Sequence, residues 1–100
     1  MNRAEHLLSC LAEECAEVAQ RVSKALRFGL DEVQPGQSLT NAARIVEELN
    51  DLAAVAIILR DAGIIPLVDT SLEVVATKLA KIERFMSISR EQGALQDDDE

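Results

Sequence analysis

The sequence predicts an all-α protein: three main helices in an antiparallel bundle that a second subunit completes. Three observations predict it. Helix formers dominate, since the 100 residues are rich in Ala, Leu, Glu and Arg and hold only four Gly and two Pro. Apolar residues recur every three or four positions along the chain's first and last thirds. Between them, Val46 to Leu59 contains eight consecutive apolar residues, Leu52 to Leu59, with no turn former, and reads as the interior of a buried helix. Three helices of one chain cannot cover a middle helix that is apolar nearly all round, so at least a homodimer is expected.

The first helix begins at a cap, Asn2, and runs to about Phe28, where Gly29 stops it. Its apolar stripe is Leu7, Leu11, Cys15, Val18, Val22, Ala25 and Leu26. On a helical wheel at ~100° per residue, Glu17, Arg21, Lys24 and Phe28 fall close to Glu14, at the border of that stripe. Glu13 falls further toward solvent. Cys10 and Cys15, five apart on one helix, are too distant for a disulfide and are expected as two small buried thiols.

Leu30 to Gln37 is a linker turned by Pro35-Gly36 and long enough to cover part of a site. Ser38 or Thr40 caps the second helix, which runs to Ala62 and stops at Gly63. Thr70 with Glu73 fits a capping box opening the third helix. That helix carries Leu72, Val75, Leu79, Ile82, Phe85 or Met86, and Ile88 on its apolar face and ends near Gly93. Residues 1–93 therefore form one domain, and 94–100 a disordered acidic tail.

The net charge of −8 includes four negative charges from Asp97 to Glu100, leaving −4 on the body. No basic patch interleaved with aromatics is present, so nucleic-acid binding is not expected. No apolar run approaches the ~18 residues of a membrane span, and no signal peptide is visible, so a cytoplasmic protein is expected.

The chemistry concentrates in two pairs of acids. Glu14 and Glu17 stand one turn apart on the first helix, and Glu48 and Asp51 one turn apart on the second. The second pair is set among Ile45, Leu49, Leu52 and Val55. Antiparallel packing would bring the four carboxylates together, where repulsion and low dielectric demand a cation. Oxygen ligands with no thiolate or imidazole select Mg²⁺, Mn²⁺ or Ca²⁺. A di-iron bundle requires Glu-x-x-His on two helices, and the single histidine, His6, stands elsewhere.

Glu13-Glu14-Cys15-Ala16-Glu17 fits the pattern EExxE, and Glu48-Leu49-Asn50-Asp51 fits ExxD. Together, in this order on two long helices, they resemble the signature of the MazG-like, all-α nucleotide pyrophosphohydrolases. The resemblance covers roughly residues 5–62, and Lys78 to Gly93 is compatible with the last helix of that family. It implies hydrolysis of a nucleoside triphosphate between the α and β phosphates, to monophosphate and pyrophosphate, with Mg²⁺ (or Mn²⁺) as cofactor and a homodimer or homotetramer as the assembly. It also implies Glu14, Glu17, Glu48 and Asp51 as metal ligands, with Glu13 and Glu14 at the reacting water. Lys24, Arg21, Arg44 and Lys78 are the expected phosphate contacts, and Phe28 the expected stacking surface for the base.

Two further functions are compatible with these residues. Phosphoribosyl-ATP pyrophosphohydrolysis uses the same superfamily fold. A non-catalytic helical dimer would instead pair the acids with Arg21, Lys24 and Arg44.

Overall fold

The computed structural model describes residues 1–96 and contains, among them, three helices and no strand. Helix α1 spans Arg3–Phe28, α2 Asn41–Asp61 and α3 Leu72–Glu91. No described helix is long and apolar enough to cross a membrane. The chain divides into two compact units, Met1–Leu67 with α1 and α2, and Val68 onward with α3.

Each helix starts where a side chain can accept an otherwise orphaned N–H. Asn2 Oδ1 accepts from Glu5 N–H at 2.8 Å, and Glu5 Oε1 accepts from Asn2 N–H at 3.3 Å, a reciprocal capping box. Thr40 Oγ1 accepts from Ala43 N–H at 3.1 Å and is the cap of α2. The cap of α3 is Ser71, whose Oγ accepts from Val74 N–H at 3.4 Å, and not the expected Thr70. Asp69 explains the shift: its Oδ1 accepts from Ser71 N–H at 2.9 Å and orients Ser71 at the helix entry. Those Ser71 hydrogen bonds hold the Asp69 carboxyl below its ordinary pKa. Gly29 ends α1 with φ 98°, a conformation that side chains with a Cβ rarely adopt.

The connection between α1 and α2 is tied to the start of α2 by one residue. Asn41 is 3% exposed, and its Nδ2 donates to the Gly29 carbonyl at 2.8 Å and to Glu32 Oε1 at 3.1 Å. Its own N–H donates to the Glu32 carbonyl at 2.9 Å, and Ala42 N–H to the Leu30 carbonyl at 3.0 Å. Arg44 Nη1 adds a bond to Gln34 Oε1 at 3.2 Å. The loop is thus fastened to α2 by polar bonds rather than by a hydrophobic plug.

Little apolar surface is enclosed. Among the described residues only Ala25 and Leu59 are buried hydrophobics. The Leu52–Leu59 run, expected as helix interior, leaves Ile57 49% and Ile58 45% exposed. Leu26, expected on the covered stripe of α1, is 83% exposed. Cys15 is exposed rather than buried, Cys10 half-buried, and both thiols are free. In each case one facing helix covers a stripe narrower than the apolar surface α1 or α2 presents. No residue of α3 is buried.

The expected tail from 94 onward is in part ordered at its start. Ala94 and Leu95 N–H groups both donate to the Ser89 carbonyl, at 2.9 and 3.2 Å. Asp97 to Glu100 lie outside the described residues.

Asn41→Ala removes the donor that both Gly29 and Glu32 use, and should lower unfolding stability by about 1–3 kcal/mol. Asn41→Asp should cost more, since it places a second carboxylate against Glu32. Urea denaturation followed by circular dichroism measures both, and an Asp variant as stable as the parent would remove Asn41 from this role.

Candidate functional site

The unit Met1–Leu67 brings three of the expected ligands together. Glu14 and Glu17, one turn apart on α1, face Glu48 on α2, and one carboxylate oxygen from each lies within 4.8 Å of the others. The i, i+3 spacing puts the α1 pair on one face. The pairing of α1 with α2 brings Glu48 to that face.

All three are half-buried. Glu14 Oε2 and Glu48 Oε2 are shut off from solvent with no hydrogen-bond partner. A buried anionic oxygen left unpaired is costly.

Two features of the chain offset part of the charge. Arg21 Nε stands 3.7 Å from Glu48 Oε1, with 21% and 17% of the two side chains exposed. That separation is an ion pair without a well-formed hydrogen bond, and Arg21 Nη1 is itself buried and unpartnered. The second feature is a proton. The Glu17 carboxyl is pushed up from 4.5 to about 7, first by a hydrogen bond shared with Glu48, then by the charge of Glu14, then by desolvation.

The other expected site residues are placed differently. Asp51, three residues beyond Glu48, is exposed and stands outside the group of three. Glu13 is exposed on α1 beside Glu14. Lys24 is half-buried one turn beyond Arg21. Arg44 is engaged by Gln34 of the loop. Phe28, the last residue of α1, is 52% exposed, and the Arg27 guanidinium lies 5.6 Å from its ring. Lys78 belongs to the unit that holds α3, where it lines a groove of about 380 Å³ with Lys81, Ile82 and Phe85. The Arg84 guanidinium sits 5.1 Å from the Phe85 ring in that unit.

Sequence reasoning missed one residue that shapes the site. Asn41 carried only the signal of a polar residue after a capping Thr, which does not separate it from ordinary helix starts. Arg21 was expected either at phosphates or paired with the acids, and the structure sets it beside Glu48. No family model, curated protein or solved structure matches the chain significantly.

The carboxylate group implies a pH dependence in metal-free protein. The folded chain holds a proton on Glu17 up to about pH 7, whereas the unfolded chain releases it near 4.5. The folded state therefore binds more protons in that window, and this group's contribution to stability is lost as pH rises through it. In excess chelator, Glu17→Gln should gain melting temperature relative to the parent from about pH 4.5 to pH 7. Melting curves of the two proteins that stay parallel across that range would show that Glu17 carries no such proton.

Proposed function

We propose that this chain is a Mg²⁺-dependent nucleoside triphosphate pyrophosphohydrolase that cleaves (d)NTP to (d)NMP and pyrophosphate. One observation carries the proposal: three carboxylates from two helices converge within 4.8 Å, with two of their oxygens buried and unsatisfied. The all-oxygen donor set and these orphaned atoms fit a hard divalent cation, Mg²⁺ or Mn²⁺. The resemblance of EExxE and ExxD to the MazG-like family supports the choice of reaction.

In this reading Glu14, Glu17 and Glu48 hold the cation, and Asp51 is the fourth ligand. The cation supplies charge neutralisation on the phosphates and activates water. The protein's own side chains do the rest. Glu13, exposed beside Glu14, accepts the proton of the attacking water. Water adds across the α–β anhydride, so one phosphate leaves on the nucleoside and two leave as pyrophosphate. Arg21, Lys24 and Arg44 bind phosphate oxygens that the cation leaves uncovered. Phe28 stacks on the base.

The assembly in this reading is a homodimer or homotetramer in which a second subunit completes an antiparallel bundle. The weak enclosure of apolar residues supports it. Burying one Leu side chain contributes roughly 1.5–3 kcal/mol, whereas fixing each residue's backbone costs roughly 1–2 kcal/mol. A chain whose buried hydrophobics among the described residues are Ala25 and Leu59 lacks the core to stand alone. A cytoplasmic setting, among nucleotide pools, belongs to the same reading.

A second reading has one observation in its favour. The Arg21–Glu48 ion pair is what a non-catalytic helical dimer would use to neutralise its acids. A panel of NTPs, dNTPs and phosphoribosyl-ATP, with and without Mg²⁺, separates the two. Monophosphate plus pyrophosphate supports the enzyme. No product from any substrate, with no effect of Mg²⁺ on melting, supports the dimer.

Two variant predictions follow. Glu48→Gln and Asp51→Asn should each lose at least about 100-fold in turnover, of the order a removed catalytic charge costs. An Asp51→Asn protein at full rate would strike Asp51 from the ligand set. Ile58→Glu, at a position 45% exposed in one chain, should shift sedimentation toward smaller species and lower the melting temperature. An unchanged sedimentation profile would place the subunit contact elsewhere.

A further inference from the structure

We propose that Arg21 is a displaceable counter-ion: a divalent cation entering the carboxylate group expels its guanidinium from Glu48 and delivers it to a phosphate. This deepens the metal-site reading and rests on it.

The contact with Glu48 is poorly satisfied on both sides. Guanidinium carries five N–H donors in a rigid fork and is strongest when it meets an oxyanion bidentately. Here Nε approaches Glu48 Oε1 only to 3.7 Å, and Nη1 is buried with no acceptor. Glu48 Oε2 is equally unpartnered. The pair is therefore held by charge, with little hydrogen bonding to lose.

The surroundings then decide what displacement does. Arg21 follows Glu17 by four residues on α1, so its other close acids are ones the cation would also engage. A cation on Glu14, Glu17 and Glu48 repels the guanidinium and removes its acceptors together. A half-buried guanidinium cannot stay uncompensated. The acceptor that fits its fork, and that a nucleotide brings to a cation site, is a phosphate. Cation and phosphate binding are coupled through one side chain, and that coupling is reciprocal.

The test is calorimetric titration of the full chain with Mg²⁺, then with inorganic phosphate at saturating Mg²⁺, for the parent, Arg21→Gln and Arg21→Lys. Arg21→Gln should bind Mg²⁺ at least about fivefold tighter, because the competing charge is gone, and should lose the phosphate response. Arg21→Lys, which keeps the charge but not the fork, should bind Mg²⁺ as the parent does and phosphate more weakly. Parent-like or weaker Mg²⁺ binding by Arg21→Gln overturns the counter-ion proposal alone. A parent that binds no Mg²⁺, or a Glu48→Gln variant that binds it equally well, overturns the metal site and this proposal with it. Circular dichroism checks that Arg21→Gln is folded. One readout needs no folded variant: the Arg21 Nε–H resonance of the parent should shift on Mg²⁺ saturation, and a resonance that stays put overturns the proposal.

Discussion

Repulsion among Glu14, Glu17 and Glu48 is the constraint around which the α1–α2 unit is arranged. Unit charges about 5 Å apart repel by roughly 3 kcal/mol at an effective dielectric of about 20. A helix pair with little enclosed apolar surface cannot ignore a penalty of that size. The chain shows two partial remedies, a proton retained on Glu17 and the Arg21 guanidinium beside Glu48. Arg21 approaches only Glu48 Oε1, and Glu14 Oε2 and Glu48 Oε2 remain buried without a donor from the backbone or from Arg21. The cluster is electrostatically incomplete as it stands, which a purely structural ion-pair network would not need to be.

The same economy of burial ties site to assembly. Helices α1 and α2 present more apolar surface than a single facing helix covers, and α3 has no buried residue. A second subunit laid on the exposed Ile57 and Ile58 side of α2 would exclude water from that helix.

What was legible in the sequence is what periodicity and local chemistry control. The helices were readable from Asn2, Gly29, Thr40 and Gly63 because caps and stops act within a few residues. That Glu14 and Glu17 share a face follows from helical spacing alone. The approach of Glu48 needed antiparallel packing as an added premise. Other features depend on tertiary register or side-chain rotamers, which spacing does not encode. Asp51 shares a face with Glu48 by count, yet it is exposed while Glu48 is half-buried; three residues turn it about 60° round α2 from Glu48. Ser71 displaced Thr70 as a cap because Asp69 bonds its N–H, a choice between adjacent hydroxyls that a capping-box pattern cannot make. The stripe left Arg21 open to a phosphate or to one of the acids, and only the fold shows which acid it stands beside.

The register itself traces to Asn41. Its side chain joins the start of α2 to the carbonyl of Gly29 at the end of α1. Arg21 lies eight residues back from Gly29, and Glu48 seven residues on from Asn41. At about 1.5 Å per residue these are nearly equal lengths, roughly 12 and 10.5 Å. The two side chains therefore arrive at the same level from a single pinned corner. A slip of one turn, about 5.4 Å, would carry Glu48 past Arg21 and away from Glu17. Leucine and isoleucine surfaces alone do not forbid such a slip, since they are similar one turn up or down. A buried amide that must reach one particular carbonyl does forbid it. The polar corner at Asn41 thus sets where the acids meet, and the apolar run only holds the helices together once they are there.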